Sequence, residues 1–301
     1  MNNIILLVLC FVAGILLRRG RFMPDNAPAV LNSFIIHISV PALTLLYIHD
    51  LKLSGDLVLV MAMAWLCFGM AAGFFWLVGR QFSFSRGTVG ALILTGGLGN
   101  TAFFGLPMIE AYYGHSGIST GIVIDQTGSF MVLSTLAIIV AGMYSSGRPT
   151  VAAIVRNILR FPPFIALIIA LLLLPITYPE WLIVVLKRLG DTLAPVALLS
   201  VGFQLRLGHL WGNCCSLIFG LTFKLLLAPI MIYLLYVQVL GAHGQAIQIA
   251  IFEAAMPPMI TASIIAQEHD LDPELAVLMV AAGLLISFFT LGGWWWVLRG
   301  V

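Results

Sequence analysis

The stretch Gly96-Gly97-Leu98-Gly99-Asn100-Thr101-Ala102-Phe103-Phe104-Gly105-Leu106-Pro107 lies inside an apolar run that extends from 87 to 113. A run of that length and composition asks for a membrane-crossing helix, which needs roughly 20 mostly apolar residues. Its middle does not suit an uninterrupted one. Proline lacks an N–H and its ring clashes with the carbonyl four residues back, so Pro107 is expected to free the carbonyl of Phe103. Unsatisfied backbone is costly in hydrocarbon, and such a break persists only inside protein or beside a watery cavity. A second break stands in the run 244–267, where adjacent Pro257 and Pro258 free the carbonyls of Glu253 and Ala254. Two such breaks predict a polar site at which half-helix ends offer N–H groups to an anion and carbonyls to a cation.

The rest of the chain supports a membrane setting. Of its 301 residues, 61% are apolar and only 9% charged, with a mean hydropathy of +1.09. A soluble domain carries roughly a quarter charged residues, so a soluble enzyme, a disordered chain and a nucleic-acid binder are all excluded. Ten apolar runs fall at 3–17, 27–48, 57–79, 87–113, 117–144, 162–178, 189–205, 213–239, 244–267 and 275–298. The expected architecture is an all-α polytopic membrane protein of ten helices with no soluble domain. The first and sixth runs are the least well marked, and 151–160 reads as an interfacial lead-in to the sixth. Met1 to Leu17 lacks a basic leader and a small-residue cleavage site, so it is expected to stay as a first span. The four cysteines (Cys10, Cys67, Cys214, Cys215) have no zinc-like spacing and are expected as buried free thiols.

Lysine and arginine set the orientation. The odd-numbered loops hold nine of them: Arg18, Arg19, Arg21, Arg80, Arg86, Arg148, Arg156, Arg160 and Arg206. The opposite side holds four: Lys52, Lys187, Arg188 and Arg299. Odd loops are therefore expected in the cytoplasm, with both termini outside the cell's inner membrane.

Two short motifs recur. Val40-Pro41-Ala42-Leu43 is echoed by Ala194-Pro195-Val196-Ala197, and Leu106-Pro107-Met108-Ile109 by Pro257-Pro258-Met259-Ile260. The prolines stand 66 residues apart in the first half and 63 in the second. This predicts two five-helix repeats, 1–147 and 148–301. Five is odd, so the second repeat is inverted, a recurring plan for secondary transporters with broken helices at the midplane.

Ionisable groups at membrane depth are costly and mark functional sites by default. Asp125 shares a helical face with Gly121 and Ser129, and it either carries a coupling proton or braces the break. Glu253, one turn before the double proline, is either a coupling-ion ligand or a structural partner. Lys224, five residues before Pro229, neutralises an anionic substrate, pairs with a carboxylate, or snorkels. Asn100 and Thr101 are uncharged polar groups at the break and the first candidates for substrate contact. His37, one turn before Pro41, reads as hydrogen-bonded packing.

At these residues the chain resembles the auxin efflux carrier family, whose bacterial members include proteins described as malate or malonate permeases. The resemblance covers essentially the whole length. It is carried most specifically by Gly99-Asn100-Thr101-Ala102-Phe103-Phe104-Gly105-Leu106-Pro107. Leu31-Asn32 with Val40-Pro41-Ala42-Leu43, the stretch from Leu189 to Gly202, and Ala254-Ala255-Met256-Pro257-Pro258 support it. It implies a scaffold part and a transport part, the latter with crossed fourth and ninth helices. It also implies that Asn100, Pro107 and Pro258 line or shape the substrate site, and that Gln126 lies near it. The related superfamily includes bile-acid-type sodium symporters. The short fifth loop, Ser145 to Thr150, departs from the plant members and argues against auxin itself as substrate.

The sequence therefore predicts a secondary transporter of small organic anions, working by alternating access and embedded in lipid, with no resident cofactor. Proton coupling, sodium coupling and uniport all stay open, as does the oligomeric state, a homodimer included. A channel or membrane sensor is the first alternative. An intramembrane enzyme is the second, since Gly117-Ile118-Ser119-Thr120-Gly121 spells GxSxG. That motif needs a strand-to-helix turn, and here it opens an apolar helix.

Overall fold

Apolar runs become helices wherever glycine and proline permit. In the computed structural model, which describes residues 2–49, 57–145, 159–205 and 214–301, every regular element is helical. In chain order the first helices are α1 (Asn2–Arg19), α2 (Ala27–Ile48), α3 (Leu57–Gln81), α4 (Arg86–Gly97), α5 (Leu106–Tyr113) and α6 (His115–Tyr144). They are followed by α7 (Pro162–Leu172), α8 (Glu180–Gly190), α9 (Leu193–Gln204) and α10 (Cys215–Val239). The last are α11 (Gln245–Ala254), α12 (Ile260–Glu268) and α13 (Pro273–Leu298). Five of them, α2, α3, α6, α10 and α13, are long and apolar enough to cross a bilayer. Most of the lead-in expected over 151–160 lies outside the described residues, as do Lys52, Arg148, Arg156, Arg206 and His209.

Three proline sites share one local solution. Wide π turns at Ile35–Ser39, Thr101–Gly105 and Phe223–Leu227 stand directly before the helical stretches Val40–Ile48, Leu106–Tyr113 and Ala228–Tyr233, whose second residues are Pro41, Pro107 and Pro229. A π turn bonds each N–H to the carbonyl five residues back, so the residue after a proline can take the carbonyl that the proline leaves. This corrects the expectation for Pro107. The fourth apolar run does not break there but upstream, where α4 ends at Gly97 and Leu98 turns extended (φ −111°, ψ 125°).

Three further expectations are revised. The loop expected around Lys187 and Arg188 is the helix α8, because the apolar run from Trp181 to Leu186 continues into its basic last turn. The sixth run is helical only as far as Leu172. Cys67 is buried as expected, but Cys10 is only half-buried and Cys215 is exposed.

The chain divides into two units, each drawn from several stretches of sequence. The first comprises Met1–Leu53, Ala102–Ile122 and Asn157–Leu205. Within it α1 runs along α9 at backbone distance. A Cβ added to Gly14 would overlap the Leu199 carbonyl, and one added to Gly202 would overlap that of Phe11. Lipid is as apolar as any side chain, so close packing of small residues and polar contacts hold such helices together. Arg18 caps the end of α9, its Nη1 donating to the carbonyls of Phe203 (3.3 Å) and Leu205 (3.0 Å). Ser200 donates to Asn32 Oδ1 (2.7 Å), and the Ser39 and Thr192 hydroxyls share a 2.8 Å bond.

The second unit comprises Ser54–Thr101, Val123–Arg156 and Arg206–Val301. Phe74, Phe75 and Phe223 form its aromatic core, with ring centroids 4.9 to 5.1 Å apart. Gly128 lets α6 close on α3, where an added Cβ would lie 3.0 Å from that of Ala64. Trp65 Nε1 donates to the Thr127 carbonyl beside it (3.1 Å). Asp272 caps α13 by accepting from the Leu275 N–H and also accepts from the Thr88 hydroxyl (2.8 Å), which ties α13 to α4.

Candidate functional site

Both interruptions lie in the second unit, and they pair with each other. Leu98, Gly99 and Asn100 follow α4, and 255–259 separate α11 from α12. The Asn100 N–H donates to the Pro257 carbonyl (2.8 Å), and the Met259 N–H donates to the Leu98 carbonyl (3.0 Å). Between those bonds Gly99 faces Pro258 in a single antiparallel bridge. Each break thus satisfies polar backbone of the other, which lets non-helical chain exist at membrane depth.

The double proline leaves two carbonyls behind, and each has found a donor. The Met256 N–H takes that of Glu253 (3.1 Å), and the Lys224 ammonium takes that of Ala254 (2.9 Å). Lys224 sits in the π turn Phe223–Leu227 of α10 and is buried with it. Glycine gives this lysine room. A Cβ on Gly99 would lie 3.1 Å from Lys224 Nζ and 3.4 Å from the Glu253 carbonyl. On the far side, a Cβ on Gly283 of α13 would overlap the Pro258 ring.

Polar side chains gather round this pairing. Asp125 is buried in the π turn Ile124–Ser129 of α6, and its Oδ1 accepts from the Thr101 hydroxyl (2.6 Å). Asn100 is buried, and among the described residues its Nδ2 has no partner. Glu253 is fully buried, with neither carboxylate oxygen hydrogen-bonded among the described residues. Gln126 is likewise buried beside Asp125 in sequence. A buried charge is expensive unless paired, hydrogen-bonded or reserved for a ligand. An ammonium, an amide and two carboxyl groups in one unit can therefore meet an anion, a cation or both.

The sequence-derived candidates Asn100, Thr101, Asp125, Gln126, Lys224, Glu253, Pro257 and Pro258 all fall in this unit. Pro107 falls in the other, buried in the first turn of α5. Sequence reasoning missed the bond from Thr101 to Asp125 and the grip of Lys224 on Ala254. It also missed the roles of Gly99 and Gly283, since residues so distant in sequence share no periodicity. His37 bonds to the Ser33 carbonyl (2.8 Å), but it is exposed rather than packed. Gly117-Ile118-Ser119-Thr120-Gly121 runs from a 3₁₀ turn into a helix, without the strand a nucleophile elbow needs. No cluster of metal-ligating side chains occurs among the described residues.

Comparison with known proteins agrees with this picture. A family model described as membrane transport protein matches twice, over residues 1–149 and 148–295. An uncharacterized transporter of Methanocaldococcus jannaschii is 22% identical, with 99% of this chain and 98% of the relative covered. An uncharacterized transporter of Methanothermobacter thermautotrophicus is 24% identical, with 97% and 96% covered. The chain is a membrane-embedded protein and, as its likeness to the auxin efflux carriers implied, belongs to the membrane transport protein family.

Proposed function

We propose that the protein is a secondary active transporter of small organic anions, carboxylates in particular, with the paired interruptions as its substrate site. The observation that carries this reading is the pair of backbone bonds joining Leu98–Asn100 to Pro257–Met259, with Lys224, Asn100 and Glu253 buried around them. Lys224 supplies the positive charge a carboxylate needs, and the Asn100 Nδ2, which has no partner among the described residues, supplies a donor. Thr101, Gln126, Pro257 and Pro258 shape the surroundings. Asp125 and Glu253 are the groups available to couple flux to a proton or sodium ion.

The double family match supports two repeats, with ten helices as five plus five inverted and the fourth and ninth crossing at their breaks. On this reading the repeats are 1–147 and 148–301, and both termini lie outside the cell's inner membrane. Alternating access presents the site to each side in turn. A membrane potential of about 100 mV supplies roughly 2.3 kcal/mol per charge moved, enough to bias the flux of an anion even without a coupled ion.

The test is uptake into proteoliposomes from a panel of labelled mono- and dicarboxylates. Saturable, gradient-dependent uptake of a carboxylate is expected. Unitary currents would make the protein a channel, and uptake confined to cations or neutral solutes would remove the anion assignment.

A further inference from the structure

A cleft of about 460 Å³ opens in the second unit beside the loop between α3 and α4, apart from the paired interruptions. Trp76 and Arg80 line it from the end of α3, Ser83 from the loop, Arg86 from the start of α4, and Met143 and Tyr144 from the end of α6. Its floor is closed by tight helix packing, since a Cβ on Gly79 would overlap Val89.

Both arginines are held in place. Arg86 Nη2 donates to the Met143 carbonyl (2.9 Å), and the Arg80 guanidinium lies 4.9 Å from the centre of the Trp76 ring. A guanidinium has five N–H donors, so most of theirs stay available. Among the described residues no carboxylate pairs with either. Two guanidinium forks in one concavity, with no described carboxylate paired to them, suit a phosphate group.

The rim identifies the phosphate's source. Trp76, 51% exposed, stands near the end of the 25-residue apolar helix α3 with exposed Leu77 beside it in sequence, and Met143, 63% exposed, stands at the end of the apolar helix α6. Tryptophan at such an end marks the headgroup level of a bilayer. Free phosphate gains nothing from an apolar rim, whereas a phospholipid lays its acyl chains along it. A zwitterionic headgroup would bring a third positive charge beside the two arginines. We propose that this cleft binds the headgroup of an anionic phospholipid, its phosphodiester bridging Arg80 and Arg86. Basic pockets between membrane helices recognise lipid headgroups by this chemistry.

The test is binding of short-chain phosphatidylglycerol to the purified full chain in detergent, followed by thermal shift and native mass spectrometry. Phosphatidylcholine and inorganic phosphate serve as the other two arms. Saturable phosphatidylglycerol binding is expected, weakening as salt rises, with phosphatidylcholine much weaker and phosphate alone without effect. In R80Q/R86Q the affinity should fall roughly 30-fold, two basic contacts' worth. Equal binding of the two lipids by the native chain would overturn the proposal, whatever the variants do. So would undiminished phosphatidylglycerol binding by a folded R80Q/R86Q, or phosphate displacing the lipid at equal concentration.

Discussion

The ammonium of Lys224 donates a 2.9 Å hydrogen bond to the carbonyl of Ala254, the acceptor that Pro258 strands four residues downstream. A side chain of α10 thus completes the backbone of an interruption that begins thirty residues later in the chain. In hydrocarbon, that carbonyl has no water to turn to.

Replacing the donor should therefore cost stability as well as transport. Lys224→Met, similar in length and without the N–H, should lower stability by about 1–3 kcal/mol, the cost of leaving a buried acceptor unmet. Thermal unfolding in detergent reads this directly. A midpoint equal to that of the native chain would mean that the Ala254 carbonyl does not depend on Lys224.

Asn100 should behave in the opposite way. Its Nδ2 has no partner among the described residues, so Asn100→Ala removes no side-chain bond made through that atom. Expression and thermal stability should stay close to native while carboxylate uptake falls at least tenfold. Unchanged uptake would take this side chain out of the site.

Thr101 and Asp125 should act as a unit. Their 2.6 Å bond is buried, and hydrogen bonds to charged groups contribute about 1.5–3 kcal/mol. A double-mutant cycle of Thr101→Val and Asp125→Asn should show coupling on that order. Additive losses would indicate that the bond does not form in the folded protein.

Glycines separate into two groups by what surrounds them. Gly283→Ala should cost about 1–3 kcal/mol through overlap with the Pro258 ring, as overpacking does elsewhere. Gly69→Ala and Gly73→Ala meet nothing within 4 Å and should leave stability unchanged or slightly raised. Equal effects at all three positions, measured by thermal unfolding, would contradict the close approach of α13 to Pro258.

How far these features could be read beforehand depends on whether their cause is local. The interruption at Pro257 and Pro258 was legible, because two adjacent prolines in the interior of a run strand two carbonyls at once. Pro107 misled, because the wide turn Thr101–Gly105 accommodates it. The break stands at Leu98–Asn100, within a glycine-rich stretch already visible in the sequence, but its partner Pro257–Met259 lies too far off in sequence to be read there. The helix α8 was hidden because Lys187 and Arg188 were read as loop charges, although basic residues also suit the last turn of a helix. The candidate polar residues stood out by their cost in lipid. Their partners, Thr101 for Asp125 and Ala254 for Lys224, came only from folding.

The bonds between Leu98–Asn100 and Pro257–Met259 also impose an order on biogenesis. The ribosome makes Asn100 157 residues before its acceptor at Pro257 exists, an interval on the order of 10–30 s at ordinary synthesis rates. Throughout that wait the early segment carries bare amide and carbonyl groups that lipid does not tolerate. It must be sheltered by the insertion machinery, or held at its mouth, until the late segment arrives to close the ladder.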